Sequence, residues 1–124
     1  MRKQCHNPYM PLWEHVPDGE PHVFGDRLYV FGSHDLENGN EFCEQDYVCW
    51  SAPVTDLSDW RCDGVIYKKE QDPYNQDALP LYAPDVVKGP DGRYYLYYCI
   101  KFQDSINVAV CDTPAGEYRF YGRV

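Results

Sequence analysis

The sequence predicts an all-β chain built from two similar four-stranded antiparallel units, and three observations support this. Apolar and aromatic residues come in short, strand-length runs bounded by Gly, Pro, Asn and Asp, and no stretch has a helical period. Two segments have the form of a hairpin led by an acid. In the first, Asp18-Gly19-Glu20-Pro21 precedes His22-Val23-Phe24, which turns at Gly25-Asp26 into Arg27-Leu28-Tyr29-Val30-Phe31. In the second, Tyr82-Ala83-Pro84-Asp85 precedes Val86-Val87, and Gly89-Pro90-Asp91-Gly92 turns into Arg93-Tyr94-Tyr95-Leu96-Tyr97-Tyr98. Third, Trp60-Arg61-x-x-Gly64 and Tyr118-Arg119-x-x-Gly122 share one spacing, and Arg27 and Arg93 open the second strand of each unit. Self-similarity at roughly 60 residues, with four strands per unit, is the pattern of propeller blades.

Residues 1–21 hold Pro8, Pro11, Pro17 and Pro21 with Tyr9 and Trp13 between them, which suits neither a helix nor a regular strand. They are expected to form an ordered lead-in, packed by its aromatics, that carries the first acid. Residues 22–67 form the first blade. Its hairpin ends at Gly32-Ser33-His34-Asp35, a polar loop follows, and Asp46–Ser51 and Trp60–Tyr67 supply the third and fourth strands. Residues 68–81, with Asp72-Pro73 and Leu79-Pro80, are the crossing. Residues 82–124 form the second blade, with strands at 85–87, 93–98, 106–110 and 118–122.

A formal net charge of −9 excludes a nucleic-acid role driven by phosphate neutralisation and disfavours anionic membranes. The apolar runs are far shorter than the roughly 20 residues that span a bilayer. Met1-Arg2-Lys3-Gln4 leads into no signal-peptide core, so the chain as written is expected in the cytoplasm, or secreted or periplasmic if a leader has been lost. Cys5, Cys43, Cys49, Cys62, Cys99 and Cys111 are read as thiols, because several sit in strand-like runs; three disulfides in a small secreted β domain is the rival reading. No C-x2-C or H-x3-H pair points to zinc. Two blades cannot close a ring, so the chain is expected to be an N-terminal piece of a longer protein and to expose apolar faces by itself.

Asn7-Pro8-Tyr9, the acid ahead of His22-Val23-Phe24, and Ala83-Pro84-Asp85 followed by Gly92-Arg93-Tyr94-Tyr95-Leu96-Tyr97-Tyr98 together resemble glycoside hydrolase family 43. The resemblance implies the first two blades of a five-bladed β-propeller, truncated. It also implies an inverting hydrolase of arabinose- and xylose-containing oligosaccharides or polysaccharides, of the α-L-arabinofuranosidase or β-xylosidase type. By the same resemblance Asp18 is the general base and Asp85 the acid that orients and tunes, while the general acid belongs to a third blade beyond Val124, so the fragment alone should be inactive. The family usually shows Asp-Pro at the first position; here Asp18-Gly19 is followed by Glu20-Pro21. Asp18 is preferred because it lies eleven residues before Tyr29, which matches the family spacing without a gap, and Glu20 is the alternative base.

Inversion needs a carboxylate that deprotonates water and a carboxylic acid that protonates the leaving oxygen from the other side of the sugar. A further carboxylate beside the acid raises its pKa by like-charge repulsion, the role expected of Asp85. These steps require no metal or organic cofactor, and an ion such as calcium in the channel stays an open alternative. Trp13 and His34 are candidate substrate contacts, Trp13 because it lies in irregular backbone near Asp18. The plainer reading of Trp13, Trp50, Tyr82, His22, His34 and Asp35 is packing or hydrogen-bonded scaffold. Asp18 alone is a good turn residue, and the group Glu37, Glu41 and Glu44 a solvated loop. The rival to an enzyme is a non-catalytic propeller domain that binds a glycan or a protein.

Overall fold

The computed structural model describes residues 7–124; Cys5 and the first six residues of the expected lead-in lie outside the described residues. Strands β1 (Glu20–Phe24), β2 (Arg27–Gly32), β3 (Tyr47–Pro53) and β4 (Arg61–Tyr67) form one antiparallel sheet in chain order. Strands β5 (Leu81–Lys88), β6 (Tyr94–Ile100), β7 (Ile106–Cys111) and β8 (Arg119–Arg123) form a second in the same order. Several strands start or end a residue or two away from the expected limits. The largest difference is at β5, which begins at Leu81, inside the crossing, and runs through Pro84. The crossing itself carries one short 3-10 turn, Lys69–Gln71.

The two sheets repeat each other in register. Tyr29 faces Ser51 as Tyr95 faces Val110, and Arg61 pairs with Ser51 as Arg119 pairs with Val110. The shared Arg-x-x-Gly motif marks a β-bulge in both. Cys49 and Trp50 pair with Gly64 and Cys62, leaving Asp63 as the extra residue; Val108 and Ala109 pair with Gly122 and Phe120, leaving Tyr121. Gly64 takes a φ of 97° there, a conformation that side chains resist. In the first hairpin Gly25 takes a left-handed φ of 64°, which lets a two-residue turn follow the strand twist.

The core lies between the sheets. Tyr29, Phe31, Tyr47, Cys49 and Tyr67 of the first pack against Val86, Tyr94, Leu96, Tyr98, Ile100 and Tyr118 of the second. The crossing closes this seam with a buried carboxylate: Asp72 accepts from Tyr98 Oη and from Asn107 Nδ2 (2.7 Å), and Tyr98 Oη meets Tyr67 Oη at 2.8 Å. A buried carboxylate is tolerated only when so supplied with donors.

The lead-in does pack by its aromatics, on the far face of the first sheet. Trp13 rests on Trp50 with ring centroids 6.0 Å apart, and Trp50 Nε1 donates to Glu14 at 2.9 Å. Val16 presses against Gly32 so closely that a Cβ there would come within 2.0 Å of Val16 Cγ1. Cys43, Cys49, Cys62, Cys99 and Cys111 are all free thiols.

Candidate active site

The acids are positioned by hairpin register. Glu20 opens β1 opposite Phe31, and Asp85 in β5 stands opposite Tyr97. Phe31 and Tyr97 are themselves equivalent in the repeat, since they pair with Cys49 and Val108 beside the matching bulges. Glu20 and Asp85 therefore hold the same post in consecutive sheets. The expectation that Asp18 is the counterpart of Asp85 is corrected here. Asp18 sits exposed in the turn before β1, with a left-handed φ of 53°. The first hairpin turns in one residue fewer than the second, so counting back from the repeated strand arrives at Glu20.

Alternation along β1 puts His22 on the same face as Glu20. Its Nε2 meets Asp85 Oδ1 at 2.6 Å, and ligating atoms of Glu20, His22 and Asp85 all lie within 4.8 Å of one another. The cluster thus takes two side chains from one sheet and one from the other. Asp85 Oδ1 also accepts from the Val86 amide at 2.8 Å.

Asp85 reaches this place because the strand before it is bulged. Tyr82 pairs with Cys99 and Asp85 with Tyr97, so Ala83 and Pro84 together face Tyr98 alone. Proline suits a bulge, where the ladder asks for no donor, and Ala83 adopts a left-handed φ of 42°. For alanine that conformation costs about 1–2 kcal/mol. Hydrogen bonds from the first sheet hold it: Tyr47 Oη donates to the Tyr82 carbonyl (2.8 Å), and buried Ser33 Oγ accepts from the Ala83 amide (3.2 Å). Asp85 is therefore the fifth residue of its strand, aimed by a bulge, and not a residue at the strand's start.

The other expected contacts have partners of their own. His34 Nε2 bonds Glu14 Oε1 at 2.5 Å, and the same carboxylate takes Trp50 Nε1, so His34 pins the lead-in to the sheet. Trp13 is 66% exposed above Trp50. Asp35 accepts from the Cys43 amide at 2.7 Å and shapes the loop after β2. Glu20, His22 and Asp85 have the donor atoms to hold a cation. His22 Nε2 also lies 2.6 Å from Asp85 Oδ1, and toward an ionised carboxylate it acts as the hydrogen-bond donor.

Comparison with known proteins decides the family. The sequence model of glycosyl hydrolases family 43 matches residues 15–124. The chain belongs to that family. It is 63% identical over 125 residues to a xylosidase/arabinosidase of Thermoclostridium stercorarium, covering all of this chain and 26% of that protein. A xylosidase/arabinosidase 43A of Humicola insolens is 33% identical, over 87% of this chain and 36% of its own length. Among solved structures, the GH43_1 enzyme of Xanthomonas citri complexed with xylotriose superposes with a TM-score of 0.74 at 26% identity, over 90% of this chain and 33% of that one. The chain spans about a quarter to a third of the length of these relatives. The two sheets are two consecutive blades of the family 43 five-bladed propeller.

Glu20, the alternative base in the sequence, and His22, read there as scaffold, are the residues the structure groups with Asp85. The signal for both was the repeat: aligning β2 with β6 and allowing for the shorter first turn pairs Glu20 with Asp85. His22 then follows from alternation. No such signal marked Ser33 and Tyr47, whose role exists only because the two blades meet.

Proposed function

We propose that the protein to which these blades belong is an inverting glycoside hydrolase acting on xylose- and arabinose-containing glycans, with Glu20 as general base and Asp85 as the orienting carboxylate. The observation behind this reading is the pairing of Glu20 and Asp85 at equivalent posts, within 4.8 Å of each other around His22. Carboxyl groups that act from opposite sides of a sugar stand about 5–10 Å apart. The closer spacing here suits a base and an auxiliary acid on one side, with the proton donor supplied from across the channel. In that arrangement Glu20 takes the proton from water, and Asp85 tunes the donor and steers the sugar. The relatives named as xylosidase/arabinosidase support pentose-containing substrates.

The test uses the full-length protein with nitrophenyl β-xyloside and α-arabinofuranoside. Glu20→Gln should lower kcat by about a hundred- to ten-thousand-fold, whereas Asp18→Asn should stay within a few-fold of wild type. The reverse ranking would return the base to Asp18. Glycan binding without turnover in the wild type would make the domain a binding module.

A further inference from the structure

We infer that His22 is a positioning residue: from blade 1 it donates Nε2–H to Asp85 of blade 2 and so fixes the direction of that carboxylate relative to Glu20. The inference rests on the glycosidase reading above and adds a residue to it. Asp85 needs such a partner, because 60% of its side chain is exposed and an unrestrained surface aspartate samples several rotamers. The 2.6 Å bond from His22 and the 2.8 Å bond from the Val86 amide both fall on Oδ1. With Oδ1 so engaged, Oδ2 is the oxygen left to turn toward the channel.

The histidine is itself held. Its ring stacks on Phe24, with centroids 5.7 Å apart and planes 14° from parallel, and tilts against Phe31 at 6.4 Å. Both phenylalanines belong to the face that packs on blade 2, so the imidazole plane is set by the packing between blades. The bond links residues 63 apart in sequence, and it also places an N–H donor among two carboxylates that would otherwise repel each other. Positioning of this kind acts on the rate of the chemical step more than on substrate affinity, since a misplacement of about 1 Å can cost a hundred-fold.

The experiment compares His22→Phe and His22→Gln in the full-length protein. Phenylalanine keeps a flat ring against Phe24 and Phe31 but has no donor; glutamine places an amide N–H near the position of Nε2. His22→Phe should lower kcat about ten- to hundred-fold with KM changed less than about three-fold, and His22→Gln should recover most of the loss. A wild-type kcat in His22→Phe, or an equal fall in both variants, would overturn the inference while leaving the glycosidase reading intact. Absence of turnover in the wild type would instead remove that reading. The bond has a readout independent of activity: long-range proton–nitrogen NMR should find His22 protonated at Nε2, and a ring protonated only at Nδ1 would refute it.

Discussion

Phe31 and Tyr97 occupy the same register position in two sheets that repeat each other, yet Phe31 is 0% exposed and Tyr97 40%. The difference comes from their neighbours. Each of these side chains leans toward the following sheet; Phe31 finds blade 2 there, whereas Tyr97 shares an open face with Val87, Tyr95 and Tyr121. On the opposite side the contrast is reversed in kind: blade 1 is covered by its own lead-in through Trp13, Glu14 and Val16, and blade 2 is covered by blade 1. Backbone register is thus a property of the repeat, and burial a property of what packs against it. The acids follow the same rule. Glu20 and Asp85 are equivalent by register, and they meet because the β1 face that carries Glu20 and His22 is the one turned toward blade 2.

The sharpest way to break the comparison is to truncate both members of the pair. Phe31→Ala should cost about 3–5 kcal/mol, the usual range for removing a fully buried aromatic side chain. Tyr97→Ala should cost less than about 1 kcal/mol in this chain, because its ring is already largely in water. Denaturant melts of the two variants would show it, and equal losses would mean that the open face is buried in solution.

A second measurement sharpens the same contrast through the tyrosines. Burial pushes Tyr67 up to about 12 and raises Tyr98, Tyr118 and Tyr47 as well, all at the seam. The fold favours their neutral phenols, so the native state holds these protons more tightly than the unfolded chain does. The stability they lend is complete below about pH 10, the ordinary tyrosine value, and is lost as pH rises through about 12. For Tyr67 alone the loss is on the order of 2–3 kcal/mol. Phenolate absorbance should therefore rise in two stages, the second coinciding with unfolding by circular dichroism. A single stage, with all the tyrosines ionising in the intact fold, would contradict a dry seam.

Much of this arrangement was legible in the residues because it is local. Strand-length aromatic runs, Gly-containing turns and the repeated Arg-x-x-Gly are short-range features, and they recover the strand order of both sheets. Bulges blur the pattern. Ala83-Pro84 reads as a break before a strand, yet the strand runs through it and the irregularity is what aims Asp85. Long-range partners were illegible for a different reason. Nothing near His34 in sequence announces Glu14, and nothing near Tyr98 announces Asp72, because these contacts are made only when distant segments dock. The register of Asp18 and Glu20 is set at an intermediate scale: two carboxylates two residues apart are distinguished only by the length of a turn that follows them, and that length gives Glu20 the position equivalent to Asp85.

The smallest expected effect on stability comes from charging the open face. Tyr95 and Tyr121 meet edge to face at 5.5 Å, Arg93 lies over both rings, and Asp91 is held at about 2 by the Tyr95 hydroxyl and the Arg93 guanidinium. These contacts organise the patch without covering it, since Val87, Tyr97 and Tyr121 are 50%, 40% and 58% exposed. Contiguous aromatic surface of this kind tends to find a partner, and for a chain studied alone the available partner is another copy. Glutamates at 97 and 121 add charge to that surface and remove rings that bury little. Tyr97→Glu with Tyr121→Glu should therefore shift the melting free energy by no more than about 0.5 kcal/mol per site while weakening self-association of the chain. Sedimentation across a concentration series measures the second quantity, and a wild-type chain that stays monomeric throughout would show that the bare face attracts nothing. A large loss of stability in the double variant would carry a different lesson: blade 2 would need those rings for its own fold, and the contrast with Phe31 would reduce to one of degree.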